Sequence, residues 1–241
     1  MPTWIHLFLD VPAPQWQVAT AFWSSVTGCR VSAPRGEHGQ FVTLVPDDGP
    51  AWLKLQAVDD GPGGVHLDLD STDRAAAIRR ATALGARSVG RYHDVEVMRS
   101  PGGFTFCQTL AEGTPQLVRQ SDSVLDQVCL DIPNPVWDKE IDFWQALTGR
   151  PLEQGRRPEF AFLGAEGALR ILLQRLDGSD GPVRAHPDFA VADRPAQEQR
   201  HVDAGAELVE RFEWWTVLRA PGGQVYCLTD RDPATGRVRR G

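Results

Sequence analysis

The sequence repeats itself, and that repeat limits the possible fold more than any other property of the chain. LDVPAPQW and AFWSSVTG, within residues 9–28, return as LDIPNPVW and DFWQALTG within residues 130–149. Asp10, Pro12, Trp16, Phe22, Trp23, Thr27 and Gly28 thus recur as Asp131, Pro133, Trp137, Phe143, Trp144, Thr148 and Gly149. Further on, His66, Asp68, Asp73, Arg74, Gly85 and Ala86 recur as His186, Asp188, Asp193, Arg194, Gly205 and Ala206. RSPGGFTFCQT (99–109) likewise returns as RAPGGQVYCLT (219–229). Similarity at a fixed period marks a duplication, so the halves, 1–120 and 121–241, must share one fold.

Each half repeats in turn. HLFLD (6–10) and HLDLD (66–70) lie 60 residues apart, QVCLD (127–131) is a third copy, and HPDFA (186–190) is the most altered. This gives four modules, at about 1–60, 61–120, 121–180 and 181–230. In the first, Ile5, Leu7, Leu9 and Val11 alternate as one face of a strand. Trp16, Ala19, Trp23 and Val26 then fall on one helical stripe with Phe22 beside it, and Gly28 is placed to stop that helix. Segments 29–34, 39–46 and 51–58 read as strands between Gly and Pro turns. In the third module Asn134 and Pro135 are suited to an N-cap and the first helical position. PGG turns at 101–103 and 221–223 precede the last strand of each half. The expected module is βαβββ and the expected class α+β, with each helix covering one face of its sheet. Pro187 cannot donate to a sheet ladder, which predicts an edge or irregular strand around His186.

Composition narrows the partners. A net charge of −7 offers no basic field for phosphates, which argues against nucleic acid. No apolar run reaches the roughly 18 residues of a membrane span. Residues 1–11 lack a basic start and read as a strand rather than a secretion signal. Cys29, Cys107, Cys129 and Cys227 form no CxxC pair and fit reduced thiols in a cytoplasmic protein. Arg231 to Gly241, after the last strand, reads as a mobile end.

Four βαβββ modules in two pairs resemble the vicinal oxygen chelate superfamily, which includes glyoxalase I, bleomycin-resistance proteins and extradiol dioxygenases. The resemblance is carried by Val65-His-Leu-Asp-Leu69, by Phe22-Trp23 and Phe143-Trp144 before a glycine, and by the endings Ser100-Pro-Gly-Gly-Phe-Thr-Phe-Cys107 and Ala220-Pro-Gly-Gly-Gln-Val-Tyr-Cys227. It is nearest to the glyoxalase-like subgroup and runs from about residue 4 to 230. It implies two tandem domains with curved mixed sheets around cavities. It also implies a chain that contains its own pseudo-dimer, or else a homodimer.

Metal-dependent members of that superfamily use a His or Gln on the first strand of each module and usually a Glu on the last. Carried across, the first half offers His6, Gln56, His66 and Cys107, and the second Gln127, Gln174, His186 and Cys227. Strand parity supports a shared surface: His6, Phe8 and Asp10 alternate away from Leu7 and Leu9, His66, Asp68 and Asp70 away from Leu67 and Leu69, and Thr105, Cys107 and Thr109 away from Phe104 and Phe106. Neither half keeps the Glu, so no metal cofactor is the first expectation; the alternative is zinc in the first half, on His6, His66, Gln56 and Cys107. Two functions stay open. One is binding or sequestration of a small aromatic or oxygenated metabolite, of the bleomycin-resistance kind, which the missing Glu residues favour. The other is a lyase-, isomerase- or cyclase-type enzyme with His6, His66 and Asp68 as acid–base groups or ligands, unlike glyoxalase I itself. Candidate ligand-binding residues are Gln56, Cys107, Phe8, Trp4, Trp52, Gln174 and His186, with function concentrated in the first half.

Overall fold

The structure is a computed structural model describing residues 1–59, 61–111, 113, 121–164, 169–178 and 180–239. The expected boundary at residue 120 and the tail residues Arg240 and Gly241 lie outside the described residues. Four modules follow one another in the expected order. The first holds β1 (Trp4–Pro12), α1 (Trp16–Thr27), β2 (Arg30–Val31), β3 (Phe41–Val45) and β4 (Leu53–Val58). The second holds β5 (Gly64–Ser71), α2 (Arg74–Ala83), β6 (Arg87–Tyr92), β7 (Val95–Arg99) and β8 (Thr105–Leu110). The third holds β9 (Ser123–Pro133), α3 (Trp137–Thr148), β10 (Leu152–Gln154), β11 (Phe160–Leu163) and β12 (Arg170–Leu176). The fourth holds β13 (Arg184–Val191), α4 (Arg194–Asp203), β14 (Glu207–Arg211), β15 (Trp215–Arg219) and β16 (Val225–Thr229).

Two eight-stranded mixed sheets result, ordered β2-β3-β4-β1-β5-β8-β7-β6 and β10-β11-β12-β9-β13-β16-β15-β14. The fold is α+β, with each half of the duplication building one sheet. The parallel pairs include β5 with β8 and β13 with β16.

Local chemistry explains several of the repeated residues. Gly28 and Gly149 end α1 and α3 at φ 69° and 68°, the left-handed conformation that glycine adopts without a Cβ penalty. Asp73 and Asp193 recur because each caps a helix: their carboxylates accept from the backbone N–H of Ala76 at 2.8 Å and of Ala196 at 3.0 Å. Asn134 does not cap α3. Residues Asn134–Val136 form a single 3-10 turn, and the helix starts one turn later at Trp137.

Contacts divide the chain into two compact units. One consists of Met1–Leu7, His66–Pro115 and Val128–Ala185. Within it the fully buried Trp144 of α3 packs edge-on against Phe104 and Phe106, with ring centroids 5.9 and 5.5 Å away. Its indole N–H donates to the buried Glu140 carboxylate at 2.8 Å, and Gly102 N–H donates to the same group. Burial pushes the Glu140 carboxyl above its ordinary range.

The other unit consists of Phe8–Val65, Gln116–Gln127 and His186–Gly241. Trp23 of α1 stacks on Phe189 at 6.4 Å and packs edge-on to Tyr226 at 5.2 Å. In both units, therefore, a helix from one half of the duplication packs on strands of the other half. The helical stripe specified that a face would be buried, and the aromatic residues it meets are those of the partner repeat.

Two expectations are corrected here. Of the edge or irregular strand expected around His186 and Pro187, only the edge is wrong: β13 is the fifth of eight strands in its sheet, and its pairing is irregular at the proline. The proline costs one rung instead. β5 pairs with β8 from Leu67 onward, whereas β13 pairs with β16 only from Asp188. Residues 231–239 of the tail are not a mobile end either. Arg231 is buried and its guanidinium donates to both Asp126 oxygens, at 2.9 and 2.5 Å. The backbone closes an Arg231–Val238 bridge, and Arg239 donates to the Val191 carbonyl. A charged-residue count cannot show that a tail arginine has a buried carboxylate waiting for it.

Candidate functional site

The parallel pairing of β5 and β8 builds the site. Its register sets Asp68 beside Cys107 and Asp70 beside Thr109. The period of two along each strand then turns His66, Asp68, Asp70, Cys107 and Thr109 to one face and Leu67, Leu69 and Phe106 to the other. The apolar set is fully buried and anchors the face that carries the polar side chains.

On that face His66, Asp68 and Cys107 converge. One donor atom of each lies within 4.8 Å of the other two, and all three residues are buried. His66 Nε2 stands 3.6 Å from Asp68 Oδ1. Asp68 is buried and stands beside Cys107 across the β5–β8 pairing, so a carboxylate and a thiol share this face.

His6, on β1, does not join that cluster. Its Nε2 lies 3.1 Å from Asp70 Oδ2, while Thr109 Oγ1 donates to Asp70 Oδ1 at 2.5 Å. The Thr3 backbone N–H fixes the same aspartate by donating to its carbonyl at 2.7 Å. Trp4 is buried with its ring edge-on to His6 at 6.4 Å. Asp70 and Thr109 were absent from the expected site. Their parity with His66 and Cys107 was visible, but the rung joining them was not.

Gln56, Phe8 and Trp52 belong to the unit that contains Phe8–Val65. There Phe8 lies edge-on to Phe41 at 6.4 Å, with Lys54 Nζ 5.3 Å from its ring, and Gln56 is opposite Phe41 across β3 and β4. In the second half, Gln174 accepts a long contact from the Cys129 thiol at 3.5 Å. His186 Nε2 is 3.3 Å from Asp188, which also accepts from Gln127 Nε2 at 2.5 Å.

The glyoxalase-like domain family matches the chain twice, over residues 6–109 and 127–229. The chain belongs to that family. No curated protein sequence matches this glyoxalase-like chain. Among solved structures it resembles a variant of 4-hydroxymandelate synthase from Streptomyces coelicolor, at 16% identity and a TM-score of 0.63, covering 100% of this chain and 94% of that one. It also resembles 2,2',3-trihydroxybiphenyl 1,2-dioxygenase from Sphingomonas wittichii strain RW1, at 15% identity and TM-score 0.64, covering 95% and 90%. A third is homoprotocatechuate 2,3-dioxygenase from Arthrobacter globiformis, at 16% identity and TM-score 0.61, covering 93% and 78%. At such identities the likeness concerns the fold, which is the tandem vicinal oxygen chelate arrangement.

Proposed function

We propose that this glyoxalase-like protein binds a small hydroxylated metabolite in its first half, beside a zinc-class divalent cation held by His66, Asp68 and Cys107. The observation that carries the reading is the convergence of three buried donors, one nitrogen, one oxygen and one sulfur, within 4.8 Å. Imidazole, carboxylate and thiolate are all zinc ligands, and three protein ligands leave one tetrahedral position for an oxygen of the bound molecule. When bound, the cation would polarise that oxygen as a Lewis acid. The chain's own contribution is orientation: Asp68 lies against the His66 ring at 3.6 Å, and the β5–β8 register holds Asp68 and Cys107 side by side. The hydroxylated aromatic compounds named for the structural neighbours indicate the ligand class by analogy. Turnover is a second reading, and the His6–Asp70 pair favours it, because a positioned imidazole moves protons at neutral pH.

The test is zinc binding to untagged protein stripped by a chelator and dialysed against the metal. One equivalent of zinc is expected per chain. His66→Ala, Asp68→Asn and Cys107→Ala each weaken it by more than about 100-fold, since loss of an outer partner alone costs roughly 10–100-fold. His6→Gln leaves it in place. Zinc that stays equally tight in His66→Ala would sink the assignment.

A further inference from the structure

We propose that Asp70 and Thr109 are positioning residues that hold His6 as a proton acceptor for the hydroxyl group of the bound metabolite, an inference resting on the reading of the first half as a working site. A carboxylate only accepts hydrogen bonds. The 3.1 Å contact from His6 Nε2 to Asp70 Oδ2 therefore puts the neutral ring's proton on Nε2 and leaves a lone pair on Nδ1. That Nδ1 is buried and has no hydrogen-bond partner among the described residues. Thr109 holds the carboxylate's other oxygen at 2.5 Å, so the acid cannot turn away from the imidazole.

The second copy of the repeat supplies an internal control. Gln127 stands in the place of His6 and Ala190 in the place of Asp70. Thr229, the counterpart of Thr109, is kept, but its hydroxyl donates to the Phe189 carbonyl at 2.7 Å. Gln127 turns instead to Asp188. Imidazole and carboxylate are thus present together in one copy and absent together from the other, and the threonine serves the pair only where the pair exists.

Trp4 points to the ligand's reacting group. Its ring lies 6.4 Å from that of His6, and its indole N–H is also buried without a partner among the described residues. A donor beside an acceptor suits a hydroxyl, which accepts from one and donates to the other. In the proton transfer the ligand O–H bond breaks, its electron pair stays on the ligand oxygen, and the proton goes to His6 Nδ1. The Asp70 carboxylate faces the resulting imidazolium.

The experiment is a long-range proton–nitrogen spectrum of the metal-free full chain, with its histidines labelled and phenol as the probe. His6 is expected to show a protected Nε2–H proton and an unprotonated Nδ1. Asp70→Ala exchanges that proton with solvent about tenfold faster or more, Thr109→Val several-fold faster, and Thr109→Ser restores the wild-type rate. Phenol shifts the Nδ1 resonance in the wild type and not in Asp70→Ala. His66 signals unchanged in the variants exclude a general loss of structure. A proton on Nδ1, an Nε2–H indifferent to Asp70→Ala, or an Nδ1 that phenol leaves unmoved would each overturn the proposal. Zinc binding measured on the same samples tests the cation separately, so either reading can fail without the other.

Discussion

Arg231→Ala is expected to destabilise the protein by about 3–5 kcal/mol, the range for removing one partner of a buried ion pair. Asp126 is fully buried, and Arg231 donates to both of its oxygens. The same guanidinium donates to the Thr229 hydroxyl at 3.0 Å and the Gly236 carbonyl at 3.3 Å, which ties the last strand and the following turn to the start of β9. Truncating the arginine leaves a carboxylate out of water with its bidentate donor gone. At about 2–4 °C per kcal/mol for a chain of this size, the melting temperature falls by about 10 °C. Asp126→Leu combined with Arg231→Met, which removes both charges and fills their volume, recovers most of the loss. Thermal and urea unfolding followed by circular dichroism measure both effects. A loss below about 1 kcal/mol in Arg231→Ala would mean that water reaches the pair.

The same arginine shows where sequence reading ends. Alternation along β1 and β5 was enough to turn His6 and His66 away from the leucines, and the repeat placed every module in order. These are short-range patterns, set by the chain's own periodicity. Partners across strands depend on register, which periodicity does not encode. Asp70 meets both Thr109 and His6, so the carboxylate that holds the His6 ring became visible only with the rung between β5 and β8. Helix packing behaves alike: Trp23 and Trp144 were legible as core, while the rings they meet, Phe189 and Phe104, come from the opposite repeat. Pro187 was legible as a lost donor, yet a strand can lose one rung and remain interior when its neighbours on both sides hold it.

Acidification from pH 7 to pH 4 is expected to cost about 3 kcal/mol through a single residue, His201. It lies fully buried on α4, with Nδ1 2.9 Å from the Tyr226 hydroxyl and its ring edge-on to Phe189 at 5.2 Å. Burial, helped by the adjacent Arg200 charge, lowers its pKa from 6.5 to about 4. Burial also pushes the Tyr226 phenol above its ordinary range, so the pair stays neutral at pH 7. Between pH 6.5 and 4 the unfolded chain binds a proton at this histidine that the folded chain refuses. Stability therefore falls as pH drops through that window, by roughly 1.4 kcal/mol for each tenfold difference in proton affinity between the two states. Glu140 works in the opposite direction: its pKa is raised by burial, so its contribution is largest in acid and diminishes as pH rises above 4.5. The two slopes separate by substitution. The first half of the repeat carries Ala81 where the second carries His201. His201→Ala lowers stability at pH 7 through the cavity it leaves, by about 2–4 kcal/mol. It also removes the acid-dependent loss between pH 6.5 and 4, which Glu140→Gln does not. Urea unfolding at half-unit pH steps reads both, and an undiminished acid slope in His201→Ala would place the protonation elsewhere.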